Sequence, residues 1–261
     1  MDHPREPLPT LVDETPTLPA AFGAALEVGL AAIPTGLAPA ARVIIDGHVR
    51  LLLAWTRAIN LTAIREPGLV ATAHVVDSLT ALPWLRARDV PSLLDLGSGG
   101  GFPGIPLAAT MPETEVALLE SVGKKVRFLE AAVAATSLGG RVRVIAARAE
   151  ALARAGDHRE AWSVVTARAV ASSADLVELA FPLLAPGGSL LAWKAGGLDT
   201  ELPAAERAIA ALGGGRLDVV PVGAGVPELT GHALLIATRH DRGSVPGAYP
   251  RDPAVRARRP W

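Results

Sequence analysis

The stretch Ser92–Gly104, SLLDLGSGGGFPG, carries the residues best spaced for chemistry: one carboxylate, Asp95, and five glycines, Gly97, Gly99, Gly100, Gly101 and Gly104. Ser92–Leu96 is apolar and bounded by turn formers, which predicts a buried parallel strand. Without a Cβ, the glycines let the backbone turn at positive φ and approach a ligand closely. Pro103 suits the first turn of a following helix, where its missing N–H is no loss. A strand, a glycine turn and a helix N-terminus in series is how doubly wound α/β proteins build a nucleotide pocket.

Two frames fit that turn. Gly99, Gly101 and Gly104 satisfy the G-x-G-x-x-G pattern of dinucleotide-binding oxidoreductases. Asp95 followed by Gly97, Gly99 and Gly101 resembles instead the first motif of S-adenosylmethionine-dependent methyltransferases. A strand-end carboxylate suits the cationic end of a methyl donor and repels a pyrophosphate. The oxidoreductase alternative also lacks a Ser/Tyr/Lys hydride-transfer set, since the one tyrosine is Tyr249. A second apolar run, Val116–Glu120, ends on Glu120 at roughly the ~20-residue spacing of a ribose-binding carboxylate. The same acid is equally placed to cap the helix announced by Val122, Val126, Leu129 and Val133.

Longer motifs narrow the choice. NLTAIREP (60–67), HVVDSL (74–79), LDLGSGGGFPGIPLA (94–108) and LLESVGKKVRFL (118–129) occur in that order. RAE (148–150), ARAVA (167–171), LLAPGG (183–188), WKAG (193–196) and YPRDP (249–253) follow. Together they resemble the ribosomal small-subunit methyltransferase G family, also called glucose-inhibited division protein B, from about Ala40 to the C-terminus. The resemblance implies a class I methyltransferase fold and transfer of a methyl group from S-adenosylmethionine to N7 of one guanine of 16S ribosomal RNA, guanosine 527 in the 530 loop. It implies a cofactor site made by Asp95, Gly97, Gly99, Gly101, Phe102, Glu120, Ala149, Glu150 and Arg168. Capping remains open for Glu150, as does folding back onto the sheet for Phe102. Arg168 has three candidate partners: the methionine carboxylate, Asp95 or an RNA phosphate.

Guanine N7 has an in-plane lone pair and no proton, so its methylation needs alignment rather than a general base. No catalytic base is therefore named. A non-catalytic cofactor sensor or RNA-binding module would show a damaged pocket, and none of these motifs is broken.

Composition sets bounds. The 261 residues are half apolar, with a net charge of −1 and no cysteine. One substantial core is expected, with no disulfide or thiolate metal site and a cytoplasmic address. The six scattered histidines show no metal-ligand spacing. No membrane partner is expected, and a monomer is. A near-neutral chain must concentrate its positive charge locally to engage RNA. Lys124, Lys125 and Arg127 offer one such place, and Lys194 another. Those three lysines are the only ones among twenty-five basic residues. Arg251, Arg256, Arg258 and Arg259 form a basic tail, either solvated or in contact with RNA.

The elements that must position these residues follow from periodicity. Residues 1–20, with five prolines and four acids, are expected to be a disordered tail. Residues 21–88 form a helical lead-in: helices over 21–33 and 40–59, and a helical stretch over 67–85. Residues 89–240 form the methyltransferase domain and 241–261 the basic tail. Strands over 92–96, 116–120, 142–146, 163–167, 189–193, 216–222 and 232–239 alternate with helices, which predicts a mostly parallel seven-stranded sheet covered on both faces. The last connection, 223–231, is too short for a parallel crossover, so the final strand should be antiparallel. Trp55, Trp84, Trp162 and Trp193 read as packing residues, without the exposed aromatic cluster of single-strand binders.

Overall fold

The computed structural model describes residues 7–33 and 36–261. Seven strands form one sheet: β1 (Ser92–Leu96), β2 (Glu115–Glu120), β3 (Val142–Ala146), β4 (Trp162–Arg168), β5 (Leu184–Ala195), β6 (Gly215–Pro221) and β7 (His232–Arg239). Their order is β3-β2-β1-β4-β5-β7-β6. Helical crossovers make all neighbours parallel until β7, which inserts between β5 and β6 antiparallel to both. The link before β7 holds only a 3-10 turn, Pro227–Leu229, too little chain for a crossover.

Helices cover both faces. On one lie α2 (Pro39–Trp55), α6 (Gly104–Thr110) and α7 (Gly123–Ala135), packed with Leu93, Ile45, Leu52 and Phe128. On the other lie α8 (Ala149–Leu152), α9 (Ser173–Ala180) and α10 (Leu198–Ala211), packed with Leu94, Leu96, Val165 and Phe181. Alternation along β1 sends Leu93 to one core and Leu94 and Leu96 to the other. The strand order reverses between β1 and β4, and such a switch point leaves a crevice at the carboxyl edge.

The N-terminal lead-in is α1 (Ala20–Ala31), α2, then α3 (Pro67–Val70), a π-helical turn (Ala71–Val76) and α4 (Asp77–Leu79). A separate α5 (Leu82–Arg86) follows, so the helical stretch expected over 67–85 is broken. Pro83 explains the break: it fits the first turn of α5, whereas inside a continuous helix its ring meets the carbonyl four residues back.

Both expected tails are corrected. Residues 1–6 lie outside the described residues, but Pro7–Pro19 is packed rather than disordered. Leu8, Val12 and Leu18 rest on the core. Trp55 Nε1 donates to Pro9 O at 2.7 Å, and Arg50 Nη2 donates to Val12 O at 2.9 Å. The segment forms only one 3-10 turn, Val12–Glu14, but its prolines do not prevent apolar residues from packing. The basic C-terminal segment likewise lies on the molecule and includes α11 (Pro253–Arg258). Arg251 pairs with Glu178, which is fully buried. Two of the tail's arginines, Arg251 and Arg256, are thus engaged with the carboxylates of Glu178 and Glu150.

Candidate functional site

The glycine loop leaves β1 at the switch point. Gly97 and Ser98 donate their N–H groups to Leu119 O at 2.9 and 3.0 Å, so the loop lies along the end of β2. Gly97 and Gly101 hold φ of 74° and 86°. A Cβ on Gly101 would come within 2.7 Å of both His48 Nε2 and Ile105 Cδ1. A Cβ on Gly97 would lie 3.0 Å from Val170 Cγ2. His48, fully buried on α2, braces the loop through a 2.7 Å hydrogen bond between Nε2 and Gly100 O. Burial is the main reason its pKa falls to about 4, so the ring is neutral and Nε2 is the donor.

Asp95 is corrected by the same geometry. Its carboxylate does not face a ligand: the residue has no exposed surface and lies beneath the loop. Oδ2 accepts the Gly104 N–H at 3.2 Å, and Oδ1 accepts the Thr166 hydroxyl at 2.9 Å. Burial pushes its pKa up to about 6, against the opposing pull of Ser98, Thr166, Gly104 and Arg168. Asp95 thus holds the loop onto β1 and β4.

Two cavities open on this edge and share Gly97 and Ala171. The larger, about 760 Å³, is lined by Thr62, His74, Asp77, Gly97–Gly100, Phe102, Lys125, Arg168, Lys194 and His232, among others. The smaller, about 200 Å³, is lined by Glu120, Ala149, Glu150, Val170 and Arg256, among others. The expected cofactor residues other than Asp95 and Gly101 are thereby divided between adjoining cavities, and Gly101 supports the loop from behind. Glu120 meets both roles left open only in part. Its Oε1 caps the amides of Ser121 and Val122, each at 2.8 Å, while Oε2 accepts the Gly99 N–H at 3.1 Å.

The polar wall of the larger cavity was not legible as a site. The π-helical turn brings His74 to the cavity and Asp77 directly behind it. Arg168 Nη1 donates to Asp77 Oδ2 at 3.2 Å and to Ala73 O at 3.1 Å, so its carboxylate partner within the protein is Asp77 and not Asp95. Arg168 Nη2 donates to His74 Nδ1 at 3.2 Å, and His74 Nε2 faces the Thr62 hydroxyl at 2.7 Å. Burial, aided by the Arg168 charge, lowers the His74 pKa to about 4. His232 Nδ1 lies 3.0 Å from Asp77 Oδ1, and that hydrogen bond holds the His232 pKa above its ordinary value despite partial burial. Trp193 Nε1 donates to Asp77 O at 2.7 Å and ties this helix to β5. The HVVDSL motif contains His74 and Asp77, but only the fold shows that they meet Arg168 and His232. Phe102 lies between His48 and His74, with ring centroids 4.6 and 4.9 Å away.

The expected RNA-facing cations divide as well. Lys124 and Arg127 are exposed on α7. Lys125 lines the larger cavity. Lys194 lines it too, with Nζ 2.7 Å from Glu201 Oε2 and 3.3 Å from Ala171 O. Among the described residues no group of His, Asp and Glu could hold a metal ion. No helix among them is long and apolar enough to cross a membrane.

The sheet is doubly wound, and the adjoining cavities at its switch point share Gly97 of a loop on which a Cβ at Gly97 or Gly101 would crowd its neighbours. This is the fold of a class I S-adenosylmethionine-dependent methyltransferase. A solved structure from Methanococcus maripaludis, provisionally described as such an enzyme, shares the fold at a TM-score of 0.51 with 11% identity, over 67% of this chain and 90% of that one.

The family model for rRNA small subunit methyltransferase G matches residues 44–230. Ribosomal RNA small subunit methyltransferase G of Roseiflexus castenholzii is 45% identical over 211 residues, covering 80% of this chain and 87% of that protein. Its counterpart in Rubrobacter xylanophilus is 42% identical over 212 residues, covering 80% of each chain. The chain belongs to this family. It is an S-adenosylmethionine-dependent methyltransferase of ribosomal RNA.

Proposed function

We infer that the enzyme methylates N7 of a single guanine of 16S ribosomal RNA, the 530-loop guanosine implied by the sequence resemblance. One observation carries this reading: His74 and Asp77, the titratable groups of the cavity's polar wall, are already engaged with their neighbours. Both ring nitrogens of His74 are occupied by Thr62 and Arg168, and both oxygens of Asp77 by Arg168 and His232. Such a wall holds and orients a base but does not readily take a proton from it, which suits a nitrogen that has none to lose.

The cofactor, when bound, supplies an electrophilic methyl group on a sulfonium. The chain's residues supply placement. Gly97 and Gly99 give the backbone close approach along the loop, and Phe102 presents an apolar face there. Glu120 takes the ribose hydroxyls, and Ala149 and Glu150 take the adenine edge. Arg168, held by Asp77, adds positive charge for a carboxylate or a phosphate. Holding the acceptor nitrogen ~3–3.5 Å from the reacting carbon is the main catalytic contribution. Lys124, Lys125, Arg127 and Lys194 draw the RNA toward the cavity mouth. The acting unit is a cytoplasmic monomer.

Methyl transfer to naked 16S RNA and to the assembled small subunit, followed by nucleoside analysis, tests this reading. It should yield 7-methylguanosine at one position. Methylation at an exocyclic amine or a ribose would overturn it.

A further inference from the structure

The smaller cavity is closed on one side by a segment that lies about a hundred residues further along the chain. Arg256, on α11, lines that cavity. Its Nη2 donates to Glu150 Oε1 at 2.6 Å, its Nη1 donates to Arg251 O at 3.0 Å, and its Nε lies 3.9 Å from Asp175 Oδ1. Both side chains of the Arg256–Glu150 pair are largely buried, at 12% and 8% exposure. The burial that would raise the Glu150 pKa is outweighed by the Arg256 hydrogen bond and by the Arg256 and Arg148 charges, so the carboxyl sits below its ordinary range.

This is a fixed arrangement. The Glu178 carboxylate, fully buried on α9, accepts from Arg251 N at 2.7 Å, from Arg251 Nη2 at 2.6 Å and from Trp261 Nε1 at 2.7 Å. Trp261 in turn stacks on Tyr249 with a centroid distance of 5.8 Å. The segment on either side of Arg256 is thus tied to one internal carboxylate. Glu150 Oε1 is taken by a buried donor. Its Oε2 lies 3.5 Å from Nε of Arg148, whose side chain is 66% exposed. One carboxylate oxygen is committed to the protein, and the other keeps a loose, displaceable neighbour.

We propose that Arg256 is a positioning residue of the cofactor site, fixing Glu150 so that Oε2 accepts the exocyclic amine of the adenine ring. The C-terminal segment is then part of the cofactor pocket and not an RNA-binding tail. The inference rests on the placement of adenine beside Glu150 in the proposed function.

The test uses the full-length enzyme and four variants: R256M, R256K, E150Q and the R256M/E150Q pair. Calorimetry gives the affinity for S-adenosylmethionine and for its 6-oxo (inosine) analogue, and unfolding of the free protein gives the thermal midpoint. R256M should weaken S-adenosylmethionine binding about tenfold, as expected for a lost charge-assisted contact. It should raise KM for the cofactor more than it lowers kcat, and shrink the preference for the 6-amino over the 6-oxo ligand. R256K should recover part of that preference. The pair should behave like E150Q alone, because one residue acts through the other. An R256M variant that loses thermal stability but keeps wild-type affinity and preference would overturn the proposal, as would additive losses in the pair. E150Q with wild-type affinity and preference would overturn the placement of adenine, and the role of Arg256 with it. E150Q impaired beside an intact R256M would overturn only the role of Arg256.

Discussion

The glycine loop and the polar wall across the cavity from it are built in opposite ways. The loop and its bracing acid, Asp95–Gly104, span ten consecutive residues, and the Gly104–Asp95 hydrogen bond closes over a separation of nine. The wall joins Asp77 to Arg168 and His232, separations of 91 and 155 residues. A local device carries its geometry in residue type, because only glycine takes those φ values next to His48 and Val170. A long-range device carries its geometry in the topology that brings β4, β7 and the π-helical turn to one edge.

The largest effect should come from breaking the loop. Gly101→Val places a branched side chain where a Cβ alone meets His48 Nε2 and Ile105 Cδ1 at 2.7 Å, at a φ of 86°. Destabilisation of about 3–4 kcal/mol is expected from overpacking plus backbone strain, with loss of cofactor binding. Urea unfolding and calorimetry measure the two. A wild-type midpoint would show that the loop relaxes and that its glycines are not sterically required.

The wall should break at Asp77. Asp77→Ala leaves the Arg168 guanidinium and the His232 ring without their shared carboxylate. Removing one partner of a buried pair costs about 3 kcal/mol, and methyl transfer should collapse. Asp77→Asn should retain more stability than Asp77→Ala and still lose most activity. Equal stability of the two variants would mean that the carboxylate's charge and hydrogen bonds contribute little.

The buried titratable groups of the two regions should also respond to acid with opposite signs. His48 and His74 have folded-state pKa values of about 4, below the ordinary 6.5. Their contribution to stability is therefore present above about pH 6.5 and is lost as pH falls through 4. Asp95, raised to about 6, has the opposite sign: its contribution is present below about pH 4 and is lost as pH rises through 6. Asp95→Asn should remove that compensation and steepen the acid loss between pH 6.5 and 4. Thermal midpoints across that range decide it, and parallel curves for variant and wild type would refute the opposition.

The smallest effects belong to the exposed cations. Lys124→Ala and Arg127→Ala should each lower the salt slope of RNA binding by about one unit, leaving the thermal midpoint unchanged. Lys194→Ala should act differently, because Glu201 is already its partner at 2.7 Å. Its loss should disturb the cavity wall as well as RNA affinity. Identical salt behaviour for all three variants would erase that distinction.

By itself the sequence determined the strands, the antiparallel seventh strand and the glycine loop, because alternation, apolar runs and glycine spacing act over a few residues. It also marked Glu120 and Arg168 as residues at strand ends, and the motif resemblance added Ala149 and Glu150. It could not determine partners. Whether Asp95 faces the ligand or lies beneath the loop depends on Thr166, which the sheet brings alongside Asp95. Whether Arg168 meets Asp95 or Asp77 depends on how the N-terminal helices dock. Whether Arg256 is a solvated charge or a wall of the smaller cavity depends on Glu178 lying buried on α9. In each case the deciding quantity is burial of a charge beside one particular hydrogen-bonding partner, and that is a property of tertiary packing alone.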